Sequence, residues 1–116
     1  MKVLVISETD ASCGPMAAAF LRDYSTTLEV VSVGRNPSQS VDSMVVEVMK
    51  ESLIDLKDYV PRDGTTVNAA SFDALYECPE RPCSRTLEAY RNWRDEIKNA
   101  VFLFFLNLNG KGQPSV

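Results

Sequence analysis

With 116 residues the chain can bury one core and is too short for two, and 45% hydrophobic beside 24% charged residues is ordinary for a globular protein. A net charge of −4 and a pI near 4.8 exclude the clustered lysines and arginines of a nucleic-acid surface. The lack of any histidine removes the usual general base and the usual zinc ligand, which excludes Ser-His-Asp and Cys-His catalysis.

Val3 to Ile6, preceded by Lys2, is a continuous apolar run, the pattern of a strand covered on both faces. Ser7-Glu8-Thr9-Asp10-Ala11-Ser12-Cys13 then leads through Gly14-Pro15 into a helix. Pro15 suits its first turn, and Met16, Phe20 and Tyr24, with Ala17 and Leu21 beside them, fall at helical spacing. Leu28 to Val33 is a second strand closing at Gly34, and Asn36 to Ser40 is a loop. Val41, Val45, Val48 or Met49, and Leu53 mark a second amphipathic helix, capped by Ser40 or Asp42. Leu56 to Ala70 contains Pro61 and Asp63-Gly64 and is an irregular connection with a short helix after Thr66. Phe72 to Cys78 is a third strand, weakened by Asp73 and Glu77, and Pro79 and Pro82 punctuate a turn. From Ser84 the spacing of Leu87, Tyr90, Trp93 or Arg94, Ile97, Val101 and Phe104 predicts a long helix. Gly110 to Val116 is polar, so one domain is expected over 1–109 with a flexible tail over 110–116.

The order β-α-β-α-β-α implies an α/β fold with a small parallel sheet between helices on both faces, three layers in all. Ligands of such folds sit at the carboxyl ends of the strands, near the first loop. A strand, a short loop and a helix N-terminus make an anion site, because unpaired amides converge there. Yet Ser7 to Cys13 carries Glu8 and Asp10 and no cation. Ser7, Glu8, Thr9 and Asp10 offer oxygen ligands to a hard cation, but the favoured reading is a solvated acidic loop, with no metal and no cofactor. The apolar run Ala100 to Leu106 is far too short for a membrane span, and Glu8 interrupts any secretory signal, so the cytoplasm is the expected location. That run is apolar on every helical face, so this helix end is either buried all round or joins a protein partner or a second copy. Tyr90, Trp93, Phe104 and Phe105 are expected in the core.

Several stretches, in their order and spacing, resemble the low-molecular-weight protein-tyrosine-phosphatase and thioredoxin-coupled arsenate-reductase superfamily. They are the strand-loop-helix start with Met16-Ala17 and Phe20-Leu21-Arg22, Val31-Ser32-Val33-Gly34, Val41-Asp42 with Val46-Glu47-Val48-Met49, and Ile54-Asp55. Leu87-Glu88-Ala89-Tyr90-Arg91 and Arg94-Asp95-Glu96-Ile97 match the family's last helix. The resemblance implies a Cys-x5-Arg loop whose thiolate attacks phosphorus or arsenic while amides and the Arg fork hold the oxyanion. It also implies an Asp-Pro loop whose Asp protonates the leaving group. Aligned on Met16-Ala17, the nucleophile position falls on Ser7 and the Arg position on Cys13. Aligned on Leu87-Glu88-Ala89-Tyr90, the Asp-Pro pair falls on Arg81-Pro82, with Glu80 one residue away. All three roles are vacant, which implies a divergent member that has lost catalysis and acts as a binding or regulatory module. The alternatives are a thiol-dependent reductase using Cys13 with Cys78 or Cys83, and residual phosphomonoester hydrolysis by Ser7. Cys13 is then either a thiol activated by the helix terminus or a small residue filling the Arg position. Cys78 and Cys83 are either a pair closing a reversible disulfide or two unrelated thiols. The family's extra strand has little room between Cys78 and Pro82, so three strands, or three and a short fourth, are expected.

Overall fold

The computed structural model describes residues 1–79 and 84–111. Three strands, β1 (Lys2–Ser7), β2 (Glu29–Gly34) and β3 (Ala74–Glu77), form one parallel sheet in the order β2-β1-β3. In the central strand Val3 lies opposite Val30 on one side and Ala74 on the other. The helices are α1 (Cys13–Tyr24), α2 (Ser43–Lys50) and α3 (Leu87–Lys111), so the expected α/β order holds. Residues 80–83, in the stretch where a short fourth strand was the alternative to three, and 112–116 of the expected tail lie outside the described residues.

The unbroken apolar run of β1 follows from its central place. Val3 and Val5 join Met16, Ala17, Phe20 and Leu21 of α1 and Trp93, Ile97 and Val101 of α3 in the main core. Leu4, Ile6 and Val33 instead line a cleft of about 330 Å³, with Val67 and Ala69 of the 63–72 segment across from them. That segment contains two single 3-10 turns, Gly64–Thr66 and Ala69–Ser71. The short helix expected after Thr66 is the second of these. Asp63 and Asn68 each accept from an amide two residues on, at Thr65 and Ala70, and such local bonds compete with a continuous helix.

Asp42 is the residue that caps α2, accepting from the Met44 N–H at 2.9 Å. The helix ends sooner than its apolar spacing suggests: Leu53, expected on the buried face, is 96% exposed with φ 61°. The reason is a Schellman closure. Ile54 N–H donates to Met49 O and Leu53 N–H to Lys50 O, which forces Leu53 into the left-handed region. Two carboxylates then bind α2 to the α3 side. Burial opposes ionisation of Asp42, but bonds from Arg85, Tyr90 and the Met44 amide, with the Arg85 charge, hold its carboxyl below the usual range. Bonds from Arg91 and Arg94 hold Glu51 at about 2.

The apolar run of α3 is not buried all round. Val101 and Leu108 are buried, while Phe104 and Phe105 pack half-buried against Tyr76 and Tyr24. Phe102, Leu103 and Leu106, at 44%, 65% and 47% exposure, share the solvent side. Among the described residues no helix is long and apolar enough to cross a membrane.

Candidate functional site

Ser7 ends β1, and the chain turns over the carboxyl edge of the sheet before α1 begins at Cys13. The stretch following β2 holds this loop from outside. Arg35, Asn36, Ser38 and Asp42 donate their amides to the carbonyls of Ser7, Glu8, Thr9 and Ala11 over 2.7–3.0 Å. In a trans peptide the N–H points opposite to the C=O, so the amides of Glu8, Thr9, Asp10 and Ser12 face away from that stretch. The Asp10 N–H meets Ser7 Oγ at 3.1 Å, which puts the Ser7 hydroxyl on this amide-bearing side. The backbone donors of the loop and the fully buried Ser7 hydroxyl thus share its inner side.

Asp10 corrects the expectation of a solvated acidic loop. It is fully buried, with φ 51°, and its carboxylate points into the protein rather than into solvent. Ser32 Oγ donates to Oδ1, and Tyr59 Oη and the Arg62 N–H donate to Oδ2 at 2.6 and 2.8 Å. Burial and the Asp10 carboxylate push the Tyr59 hydroxyl far above its ordinary range, so it stays a donor. One side chain thus joins the loop to β2 and to the 59–62 segment. Glu8 alone of the two loop carboxylates lies toward the surface, where it accepts from Asn36 Nδ2 at 2.6 Å. Two glycines make the close packing feasible. A Cβ on Gly34 would sit 2.9 Å from Asp10 N and Thr9 C, and one on Gly14 would sit 2.7 Å from Ser7 Oγ.

Cys13, the first residue of α1, forms a disulfide with Cys78, which directly follows β3. Of the other sequence candidates, Arg81 and Cys83, with Glu80, lie outside the described residues. Beside the loop an open cleft of about 510 Å³ is lined by Glu8, Arg35, Glu77, Cys78 and Pro79. Its one guanidinium, Arg35, pairs with Glu77 at 3.6 Å. Among the described residues no cluster of three or more Cys, Asp or Glu is placed to hold a metal ion.

The loop therefore sits where the sequence placed it, and the structure brings Ser7, Asp10 and Cys13 together at the head of the sheet. Sequence reasoning missed Ser32, Tyr59 and the Arg62 amide, which orient the loop through Asp10. Ser32 carried a faint signal, as a polar residue interrupting the valines Val30, Val31 and Val33. Tyr59 carried none, because its segment has no periodicity.

The sequence matches no protein-family model and no curated protein. Solved structures do match it. An arsenate reductase in its phosphate-binding state superposes with a TM-score of 0.82 at 20% identity, over 91% of this chain and 97% of that one. The low-molecular-weight protein tyrosine phosphatase of T. tengcongensis gives 0.79 at 18%, over 92% and 99%. A cysteine-to-serine mutant of the YwlE arginine phosphatase, with its active-site serine phosphorylated, gives 0.81 at 17%, over 94% and 96%. The chain has the fold of the low-molecular-weight phosphatases and arsenate reductases. At these identities the likeness is one of architecture, and it extends over nearly the whole of both chains.

Proposed function

We propose that this chain is a phosphatase-fold domain that has given up phosphoryl and arsenyl transfer and acts by binding a protein, through the apolar face of α3. The observation that carries the first half is Cys13. It stands at the head of α1, where the resemblance calls for a guanidinium, and it is tied to Cys78. Ser7 stands where the resemblance calls for a thiolate, and a serine hydroxyl with no histidine in the chain to deprotonate it is a weak nucleophile. Losing one transition-state donor of the oxyanion-hole kind costs about 10²–10³ in rate. The missing thiolate and the missing leaving-group acid act on the same transition state, and together they reduce turnover to background. The second half rests on Phe102, Leu103 and Leu106, which leave an apolar strip on a helix whose other side is well packed.

The test measures p-nitrophenyl phosphate hydrolysis and arsenate reduction with the purified protein, followed by calorimetric titration with phosphate and arsenate. The expected outcome is background turnover and no binding heat. Turnover that disappears in Ser7→Ala would overturn the reading. So would a phosphoserine at Ser7 found by mass spectrometry after exposure to a phosphoryl donor, the state that the mutant arginine phosphatase displays. The binding half fails if Leu103→Lys changes neither the elution volume of the protein nor its capture of partners.

A further inference from the structure

The strand β3 lies at an edge of the sheet. It pairs with β1 on one side, and among the described residues no strand lies along its other side. Successive residues of a strand turn their N–H and C=O to opposite sides, so half of the backbone groups of Ala74–Glu77 point outward, away from β1. Ala74 and Tyr76 are half-buried and face α3, while Leu75, beside Leu4 of β1, and Glu77 are exposed on the other face of the sheet. Two clefts separate this open strand from α3. One, of about 250 Å³, lies between Ala74 and the far part of α3, at Phe104, Asn107 and Leu108. The other, of about 130 Å³, lies between Tyr76 and the middle of α3, at Trp93, Ile97 and Ala100. The Tyr76 and Phe104 rings, 5.0 Å apart between centroids, form the ridge between them. A strand repeats its side-chain direction every two residues, about 6.6–6.8 Å, which is also the step from Ala74 to Tyr76. A strand laid along β3 therefore drops two consecutive same-face side chains into the two clefts. Neither cleft is lined by Phe102, Leu103 or Leu106, so this surface is separate from the apolar strip of α3.

The border of this edge is acidic. Asp73 lines the first cleft and Glu96 the second, and among the described residues no lysine or arginine lines either. Glu77, its side chain 67% exposed, stands at the end of the strand and meets Arg35 at 3.6 Å. A second copy of the chain is a poor occupant. Pairing β3 with another β3 sets Asp73 and Glu77 of one strand beside the acids of the other, in either direction. Such a contact is also only about 13 Å long, far smaller than the roughly 1,600 Å² interface of a stable dimer. We infer that the outer edge of β3 is a docking site for an extended segment of another protein, which joins the sheet as a fourth strand. The segment is apolar at the two alternate positions that enter the clefts and carries lysine or arginine where it faces Glu77. Backbone hydrogen bonds supply the pairing, the clefts select the side chains and the acidic border selects the charge. Leu75, 47% exposed, adds an apolar contact on the opposite face.

The experiment titrates the full chain into a fluorescein-labelled peptide of alternating valine and lysine and follows anisotropy. The controls are an alternating valine–glutamate peptide and the valine–lysine peptide with proline at its centre, which lacks a backbone donor. The expected result is saturable binding of the valine–lysine peptide, about tenfold or more weaker binding of both controls, and slowed amide exchange at residues 74–77. Ala100→Trp and Asn107→Trp fill the two clefts from exposed positions, and each should weaken binding by about tenfold with the melting curve unchanged. Glu77→Lys should remove the preference for lysine over glutamate in the peptide. The inference is overturned if the valine–lysine peptide does not bind, or if the folded tryptophan variants bind it as tightly as the native chain. Protection that maps to residues 102–106 instead of 74–77 overturns it too, while leaving the strip of the proposed function standing. So does a dimer in sedimentation equilibrium that Ala100→Trp dissociates, which gives the edge to a second copy, or protection at 74–77 that vanishes when residues 112–116 are deleted, which gives it to the chain's own tail. None of these readouts depends on phosphatase turnover or on Leu103, so this inference and the proposed function fail separately.

Discussion

Asp10 offers the sharpest check on how the loop is held. Asp10→Ala withdraws the acceptor from the Ser32 hydroxyl, the Tyr59 hydroxyl and the Arg62 amide at once. A buried donor left unpaired costs about 1–3 kcal/mol. Ser32 is 2% exposed but its hydroxyl can rotate, the Tyr59 hydroxyl keeps Ser32 O as an acceptor at 3.2 Å, and the Arg62 amide lies nearer to water, so the equivalent of one to two full penalties is expected. Alanine also tolerates φ 51° less well than aspartate, by roughly 1 kcal/mol. The sum is about 2–7 kcal/mol, a large part of the 5–15 kcal/mol that typically holds a domain folded. Asp10→Asn makes the opposite forecast. Asparagine tolerates the left-handed region, its carbonyl oxygen accepts from Tyr59 and Arg62, and its NH₂ faces a Ser32 hydroxyl that can turn round and accept. That variant should lose no more than about 1 kcal/mol. Urea unfolding followed by the fluorescence of Trp93, the sole tryptophan and 6% exposed, measures both. Equal losses in the two variants would refute the reasoning, because they would mean that the negative charge itself, rather than satisfied geometry, holds the loop.

Glu51, held at about 2 against 4.5 for a free glutamate, adds stability that is fully present above about pH 4.5 and is lost as the pH falls toward 2. The stability gap between the native protein and Glu51→Gln should therefore close over that window, as followed by urea midpoints at successive pH values. Gly34→Ala drives a Cβ against the backbone of Thr9 and Asp10 and should cost about 2 kcal/mol or more, read as a drop in thermal midpoint. Leu53→Gly should add about 1 kcal/mol of stability, read as a rise in thermal midpoint, because Leu53 holds a left-handed Schellman position and is too exposed to lose packing.

Much of the architecture was legible because hydrophobic period and covalent punctuation act locally. The continuous run Val3 to Ile6 identifies a strand buried on both sides, and the 3.6-residue spacing of Met16, Phe20 and Tyr24 identifies a helix face without reference to the rest of the chain. The end of α2 was not legible for the same reason. The spacing Val45, Val48 or Met49, Leu53 continues smoothly, and nothing local reveals that Met49 and Lys50 give their carbonyls to a capping turn. Asp10 was misjudged because an acidic loop residue is ordinarily solvated. Its burial depends on a hydroxyl 22 residues away and another 49 residues away, which no window on the chain contains. The Cys13–Cys78 bridge is likewise a long-range fact. The sequence supplied the candidates, but choosing between Cys78 and Cys83 needed the position of β3.

These long-range contacts also explain how a loop of this geometry can persist without the residue types to which the resemblance assigns its chemistry. The forces that shape it come from outside and beneath: four amides of residues 35–42 on its carbonyls, and the bonds to Asp10 from Ser32, Tyr59 and Arg62. Residues 7 and 13, to which the resemblance assigns the reactive thiolate and the guanidinium, contribute little to that frame. Ser7 receives one amide bond through its side chain, and Cys13 is fastened to β3 by a covalent bond in place of an ion. Exchange of both residues thus leaves every outer contact standing. Shape and reactivity are assigned to different side chains here, so fold similarity at 15–22% identity transmits the first and says nothing of the second.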